Sequence, residues 1–297
     1  MPSRAQTLAL IGNPNTGKTT LFNALTGLAQ KSGNYPGVTV EHKVGSLVLA
    51  EGPALDLIDL PGTYSLSAHS PDEMLAVDVL LGQQEDAPAI DGILAIVDAS
   101  NLRRNLYLVS QLAEANLPLI IALNMVDIAR HRSIRIDAEA LSQALGAPVV
   151  PICAHRRQGL DALRSELANL DTAPNARGSH RRPELPAPLL RGIAELQALS
   201  THPLSATEAL RALVDEDSYA EQRLLAEAGD NAVSALERLR EADPEQSLSE
   251  LESKTRYAWI DQLLAGSVSQ PSELRPSRSD RADQVSPTGS SAPLPLS

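Results

Sequence analysis

Two patterns of apolar and polar positions alternate over the first 170 residues. Short, nearly unbroken aliphatic runs occur at 8–11, 55–58, 92–97, 118–123 and 148–152. Between them, leucines and alanines recur every three or four residues, as at 20–26, 105–115 and 137–145. A short run with no polar alternation predicts a strand buried on both faces, and the three-to-four spacing predicts a helix with one apolar side. Strands and helices in alternation predict an α/β fold, a mostly parallel sheet with helices on both faces. In such a sheet, functional residues gather at the carboxyl ends of the strands.

After Leu170 the pattern changes. Residues 171–188 are rich in Pro, Arg and small side chains and predict a linker. Helical spacing then continues alone, at 189–199, 206–213, 219–228, 232–242 and 248–264. From 266 to 297 the chain is dense in Ser and Pro and poor in large apolar residues, which predicts disorder. The expected organisation is therefore an α/β domain over 1–170, a linker over 171–188, an all-α helical domain over 189–265 and a disordered tail over 266–297.

Composition narrows the core and the class of partner. Hydrophobic residues make up 43% of the 297 but aromatics only 2%, so the core must be aliphatic. A net charge of −12 argues against nucleic acid as the main partner, and Arg103-Arg104 and Arg156-Arg157 are too isolated to form a binding surface. The single cysteine, Cys153, excludes an internal disulfide and suits a reducing cytosol. No apolar run approaches the roughly 18 residues of a membrane span, so a cytoplasmic location is expected. The six histidines are scattered and lack paired metal-ligand spacing, which predicts solvated side chains.

The chemistry begins where the first strand ends. Gly12-Asn13-Pro14-Asn15-Thr16-Gly17-Lys18-Thr19 fits G-x-x-x-x-G-K-[ST], with a strand before it and a helix opening at Thr20. Successive backbone N–H groups form an anionic nest there, and the helix N-terminus adds partial positive charge. Lys18 would reach the β- and γ-phosphates, and the Thr19 hydroxyl would ligate Mg²⁺. Asp59-Leu60-Pro61-Gly62 follows a strand and fits D-x-x-G, with Asp59 holding the Mg²⁺ shell and the Gly62 N–H sensing the γ-phosphate.

Asn124-Met125-Val126-Asp127 ends another strand and fits the guanine-reading pattern N-x-x-D. The Asp127 carboxylate can accept from guanine N1–H and the 2-amino group, whereas adenine would leave it unsatisfied. Asn124 would tie this loop to the phosphate loop. Cys153-Ala154 stands where such proteins usually carry Ser-Ala, and the Ala154 N–H would meet guanine O6. Between helix and strand, Gly37-Val38-Thr39 lies in a loop suited to switch by ligating Mg²⁺ through Thr39 only when a γ-phosphate is present.

These residues, with Asn34-Tyr35-Pro36-Gly37-Val38-Thr39-Val40-Glu41, Thr63-Tyr64-Ser65-Leu66 and Ser70-Pro71-Asp72-Glu73, resemble the N-terminal GTPase of the ferrous iron transporter B family from about Leu8 to Leu264. The resemblance implies a GTP- and GDP-binding, Mg²⁺-dependent GTPase whose helical domain couples nucleotide state to an Fe²⁺-conducting membrane permease. It also implies K⁺ beside the phosphates, held by Asn15. Thr63 stands where Ras-like enzymes place a water-orienting glutamine, which predicts slow turnover. Family members continue into several hundred residues of permease, of which 278–285 is a faint echo. The expectation is either a truncated product or a freestanding regulator of a permease absent from this chain. A soluble Era-type GTPase and a non-hydrolysing GTP-state sensor are the competing readings.

Overall fold

The computed structural model describes residues 5–27, 30–34, 41–47, 49, 54–68, 70–84, 88–170, 180–243 and 245–269. In chain order the first half holds β1 (Gln6–Gly12), α1 (Lys18–Thr26), β2 (Gln30–Asn34), β3 (Glu41–Leu47), β4 (Leu55–Asp59), α2 (Pro71–Leu81), β5 (Gly92–Asp98), α3 (Leu102–Leu112) and β6 (Leu119–Asn124). There follow α4 (Val126–His131), β7 (Arg135–Ile136), α5 (Ala138–Leu145), β8 (Val149–Pro151) and α6 (Leu160–Ala168). The second half is helical: α7 (Ala187–Leu199), α8 (Ala206–Val214), α9 (Tyr219–Ala228), α10 (Asp230–Arg240) and α11 (Leu248–Ser267), closed by β9 (Val268–Ser269).

Seven strands form one sheet in the order β2-β3-β4-β1-β5-β6-β8. The five from β4 to β8 in that order run parallel, and β2 and β3 are antiparallel additions at one edge. The mostly parallel sheet expected from the aliphatic runs is what forms, and its central strands are buried on both sides. Period-two alternation sorts their side chains: Ala9 and Ile11 join one apolar cluster, Leu8 and Leu10 the other. The first cluster packs the sheet against α2, α3, α5 and the end of α11, and the second against α1 and α6. Each leucine so buried contributes roughly 1.5–3 kcal/mol, which is how a nearly aromatic-free core suffices.

Helix α3 starts and stops three residues earlier than its leucine spacing suggests. Asn105 lies inside it and buried, donating to the Asn101 carbonyl (2.9 Å) and accepting from the Asp98 N–H (3.1 Å). A side chain that satisfies the incoming strand end pulls the helix start back toward β5. Ser70 caps α2 by accepting from the Glu73 N–H (3.3 Å), with Pro71 in the first turn.

Helices α7 to α10 bury their own aliphatic cluster, with Leu189, Leu196, Leu210, Leu213, Leu224 and Leu236 inside. Helix α11 belongs to both halves: Leu248 sits in that cluster, whereas Ile260 and Leu263 pack on the sheet side. Residues 266–269, expected in the disordered tail, instead finish α11 and form β9. There Ile136 pairs with Val268 and Arg135 with Ser269, while the Asp137 N–H donates to the Ser267 carbonyl (2.8 Å). That pairing uses backbone groups alone, so a Ser- and Gly-rich composition gives no warning of it. Of the expected linker, 171–179 lies outside the described residues. Residues 180–186 are anchored by the Arg181 N–H on the Leu145 carbonyl (2.8 Å) and by the His180 ring against the carbonyls of Gly146 (3.1 Å) and Leu117 (3.0 Å). His180 is thus a tether rather than a solvated side chain. No helix among the described residues is long and apolar enough to cross a membrane.

Candidate nucleotide site

The carboxyl ends of β1, β4, β6 and β8 converge on one edge of the sheet, and the loops leaving them carry the candidate residues. At the end of β1, a Cβ on Gly12 would stand 2.4 Å from the Ile96 carbonyl of β5, so only glycine fits that strand spacing. Asn13 is buried and its carbonyl accepts from the Thr16 hydroxyl (2.8 Å), closing the loop on itself. The Asn13 Nδ2 is buried without a partner. Pro14 and Asn15 form the exposed crest, Asn15 in the left-handed region at φ 65°. Gly17 also lies there, at φ 88°, and a side chain on it would collide with the Asn124 amide. Helix α1 begins at Lys18, with Thr19 and Thr20 exposed in its first turn, so its free N–H groups face the crest.

The Lys18 ammonium pairs with the Asp59 carboxylate at the end of β4. Two residues 41 apart in sequence thereby meet at one point. The segment after Asp59 is fastened to the phosphate loop through the Thr63 N–H, which donates to the Gly12 carbonyl (3.2 Å). Pro61 and Gly62 are half-buried just before that anchor. The Thr63 side chain is fully buried and its hydroxyl donates to the Ser65 carbonyl (2.6 Å), which leaves it no role in orienting water. The hydroxyl of Thr19 and the carboxylate of Asp59 are hard oxygen donors beside a phosphate-type loop, and that donor set fits Mg²⁺. Gly37, Val38 and Thr39 lie outside the described residues.

At the other end of the site, Asn124 joins three loops. Its Nδ2 donates to the Thr16 carbonyl (2.8 Å), and its Oδ1 accepts from the Ala154 N–H (3.0 Å). Met125, at φ 61°, then turns the chain into α4, which carries Asp127 in its first turn. Burial works to raise the Asp127 carboxyl, but the Cys153 thiol, the nearby backbone N–H groups of Ile128 and Asp127 and then the Arg156 guanidinium together outweigh that and hold it below the usual carboxylate range. Its Oδ1 is buried with no hydrogen-bond partner, an acceptor that an N–H donor would satisfy. Burial and the adjacent Asp127 push the Cys153 thiol up.

The structure also joins residues that the sequence reading left apart. His155 comes to Asp127 and Cys153, which that reading already placed around one base, and the ligand-type atoms of the three lie within 4.8 Å of one another, against the expectation of scattered, unclustered histidines. The two-residue Cys153–His155 interval was visible, but Asp127 arrives from another strand. Ser67, beyond the D-x-x-G turn, touches the helical half. It donates to Asp215 (2.9 Å) and accepts from Arg211 (2.7 Å), and Asp78 of α2 pairs with Arg223 (2.7 Å). These pairs lie more than 140 residues apart in sequence, and no local pattern foretells them.

Comparison with known proteins gives a consistent picture. Residues 6–167 match the family described as ferrous iron transport protein B. The Fe(2+) transporter FeoB of Salmonella choleraesuis is 39% identical over 282 residues, covering 93% of this chain and 35% of the relative. That of Legionella pneumophila (strain Paris) is 49% identical over 162 residues, covering 53% of this chain and 21% of the relative. The chain thus spans only about a third of the length of the first of these relatives and a fifth of the second. Among solved structures, the cytosolic domain of L. pneumophila FeoB matches with 35% identity and a TM-score of 0.72, over 89% of this chain and 100% of that one. A GDP-bound mutant of the S. thermophilus FeoB G-domain matches with 35% identity and a TM-score of 0.74, over the same shares.

Proposed function

Because the chain belongs to the ferrous iron transport protein B family, we propose that it is a GTP-binding and GTP-hydrolysing switch whose nucleotide state governs Fe²⁺ uptake through a membrane permease. The observation that carries the guanine reading is the double role of Asn124. One amide bonds the phosphate loop and the Ala154 loop at once, so the phosphate-binding and base-reading halves form a single rigid surface. Asp127, held ionised, accepts from guanine N1–H and the 2-amino group, and the Ala154 N–H, which donates to Asn124 Oδ1 in this structure, turns to guanine O6 when the base enters. That the cytosolic FeoB domains it resembles include a GDP-bound form supports the same ligand.

Hydrolysis needs water to attack the γ-phosphorus while the bond to the β–γ bridging oxygen breaks, releasing GDP and phosphate. Lys18 and the backbone N–H groups between Gly12 and Thr20, Pro14 excepted, hold the phosphates, and the Gly62 N–H follows the γ-phosphate. Thr19, Thr39 and Asp59 would hold Mg²⁺, which would supply positive charge against the charge developing on the phosphate oxygens. Asn15, on the exposed crest, would hold K⁺ through its side-chain carbonyl oxygen, and that ion would supply the charge an arginine finger brings elsewhere. With Thr63 buried, no side chain at that position positions the water, and turnover is slow. The segment from Gly62 to Ser67 carries the nucleotide state to Arg211 and Asp215 of the helical half, on the cytoplasmic face of the membrane where the permease lies.

The test is GTP hydrolysis by the purified chain in K⁺ and in Na⁺. Expected is slow, K⁺-stimulated phosphate release, reduced about 10²–10³-fold in Lys18→Ala. Tight GTP binding without phosphate release in either salt would leave a nucleotide sensor in its place.

A further inference from the structure

The cluster beside the base-reading loop has a chemistry that guanine recognition does not use. Cys153 Sγ lies 3.4 Å from His155 Nδ1 and 3.9 Å from Nε2, and His155 Nε2 lies 3.7 Å from Asp127 Oδ2. Two ligands of a tetrahedral zinc-type ion, with bonds of about 2.0–2.3 Å, stand roughly 3.5 Å apart. Through Nε2, the nitrogen that faces Asp127, the separations of 3.9 and 3.7 Å exceed this by a few tenths of an ångström, which a small turn of the exposed His155 ring closes. The backbone under the trio is fixed. Cys153 exchanges both hydrogen bonds with Gln158 (3.0 and 3.2 Å), and the neighbouring Ala154 N–H is held by Asn124. One sulfur, one imidazole nitrogen and one carboxylate oxygen are a borderline donor set, suited to Zn²⁺ and its neighbours rather than to Mg²⁺.

We propose that Asp127, Cys153 and His155 form a binding site for a divalent transition metal of the zinc class, and that this metal and a guanine nucleotide exclude each other. Three protein ligands leave a fourth position for water. The thiol gives up its proton to solvent as the metal–sulfur bond forms, and the imidazole binds through a neutral nitrogen. Arg156 is the competing cation: its Nε donates to His155 Nε2 (3.2 Å) and its Nη2 lies 3.5 Å from Asp127 Oδ2. Its side chain is 57% exposed, so it swings into solvent when a doubly charged ion takes its place. The exclusion follows because the Asp127 carboxylate cannot ligate a metal and accept from guanine together. This half of the proposal rests on the guanine reading of Asp127, and the site itself does not.

Co²⁺ titration of the nucleotide-free chain tests both halves. Cys153 is the only cysteine, so a thiolate-to-cobalt charge-transfer band reports this site and no other. Expected is a band saturating at one Co²⁺ per chain and erased by added GDP. His155→Ala weakens Co²⁺ binding by more than about tenfold, the loss that even outer-shell partners cause, while GDP still binds. No band, or a band unchanged in His155→Ala, overturns the site. A band that persists at saturating GDP overturns the exclusion. If the metal-free chain fails to bind GDP, the guanine reading and the exclusion both fall, and the band alone still decides the metal site.

Discussion

The phosphate loop and the joint between the two halves of the chain hold charge in opposite ways. At the loop, Lys18 and Asp59 meet at a surface that solvent partly reaches, and the neighbouring groups are backbone N–H donors within one short segment. At the joint, Arg256 is fully buried. It donates to Glu252 (2.7 Å) on its own helix, to Glu114 (2.8 Å) after α3 and to the Ser110 carbonyl (3.1 Å). Glu252 also pairs with Arg211, which reaches Asp215 (3.1 Å) and Ser67. A binding site must keep its charges available to a ligand, so it cannot satisfy them fully. A structural joint must pair every charge, because an unpaired one in a dry interior costs several kcal/mol, and here each carboxylate has an arginine although Glu114 Oε1 itself is left without a hydrogen bond.

The comparison breaks most sharply at Arg256. Arg256→Ala leaves Glu252 and Glu114 inside with too little positive charge, and should lower stability by about 3–5 kcal/mol in urea unfolding. A loss below about 1 kcal/mol would mean water reaches the joint and the contrast is false. Acid probes the same network. Burial pushes the Glu252 carboxyl up, but Arg211 and Arg256 outweigh this and bring it down to about 2. A carboxyl depressed in the folded state stabilises above its unfolded pKa, and that contribution disappears as pH falls through the folded one. Urea midpoints should therefore drop between about pH 4.5 and 2, by on the order of 3 kcal/mol from this group. Glu227, held near 2 mainly by the Thr201 hydroxyl, titrates in the same window, so Glu252→Gln should flatten the slope without abolishing it.

At the ligand end the expected loss is one of specificity. Asp127→Asn should cut GDP affinity by on the order of 10²-fold and raise that for xanthosine diphosphate, measured by competitive displacement, with urea stability almost unchanged. Equal selectivity in both proteins would end the base-recognition argument. The smallest effect belongs to Arg103, which bonds Asp261 through two nitrogens (2.7 and 3.0 Å) and lies 4.5 Å over the Tyr257 ring. It joins the same two helices as Arg256, but both partners are half exposed. Arg103→Ala should cost less than about 1 kcal/mol by thermal unfolding. A cost equal to that of Arg256→Ala would show that burial is not what separates the two regions.

Much of the candidate site was legible because its parts are short and local. Gly12 to Thr19 carries its turn glycines and its lysine in one segment, and Asn124 to Asp127 in another. Each follows an aliphatic run whose only stable home is the middle of a parallel sheet. The strand ends that bring Lys18 to Asp59 and Asn124 to Ala154 are then consequences of that sheet. Elements built from few residues or from backbone pairing were not legible. The two-residue strands at 135–136 and 268–269 have no period to detect, and the early start of α3 depends on where the Asn105 amide finds partners.

From the amino-acid order alone came the α/β class, the helical second half, the phosphate loop and the pair of residues suited to guanine, since each is dictated by local spacing and by what a residue type can bond. Only the tertiary structure decided that α11 spans both halves, that Ser67 touches Arg211 and that His155 joins Asp127 in one corner. Those facts depend on which distant segments meet once the apolar faces are buried, and segments 28 to 148 residues apart carry no local mark of their partners.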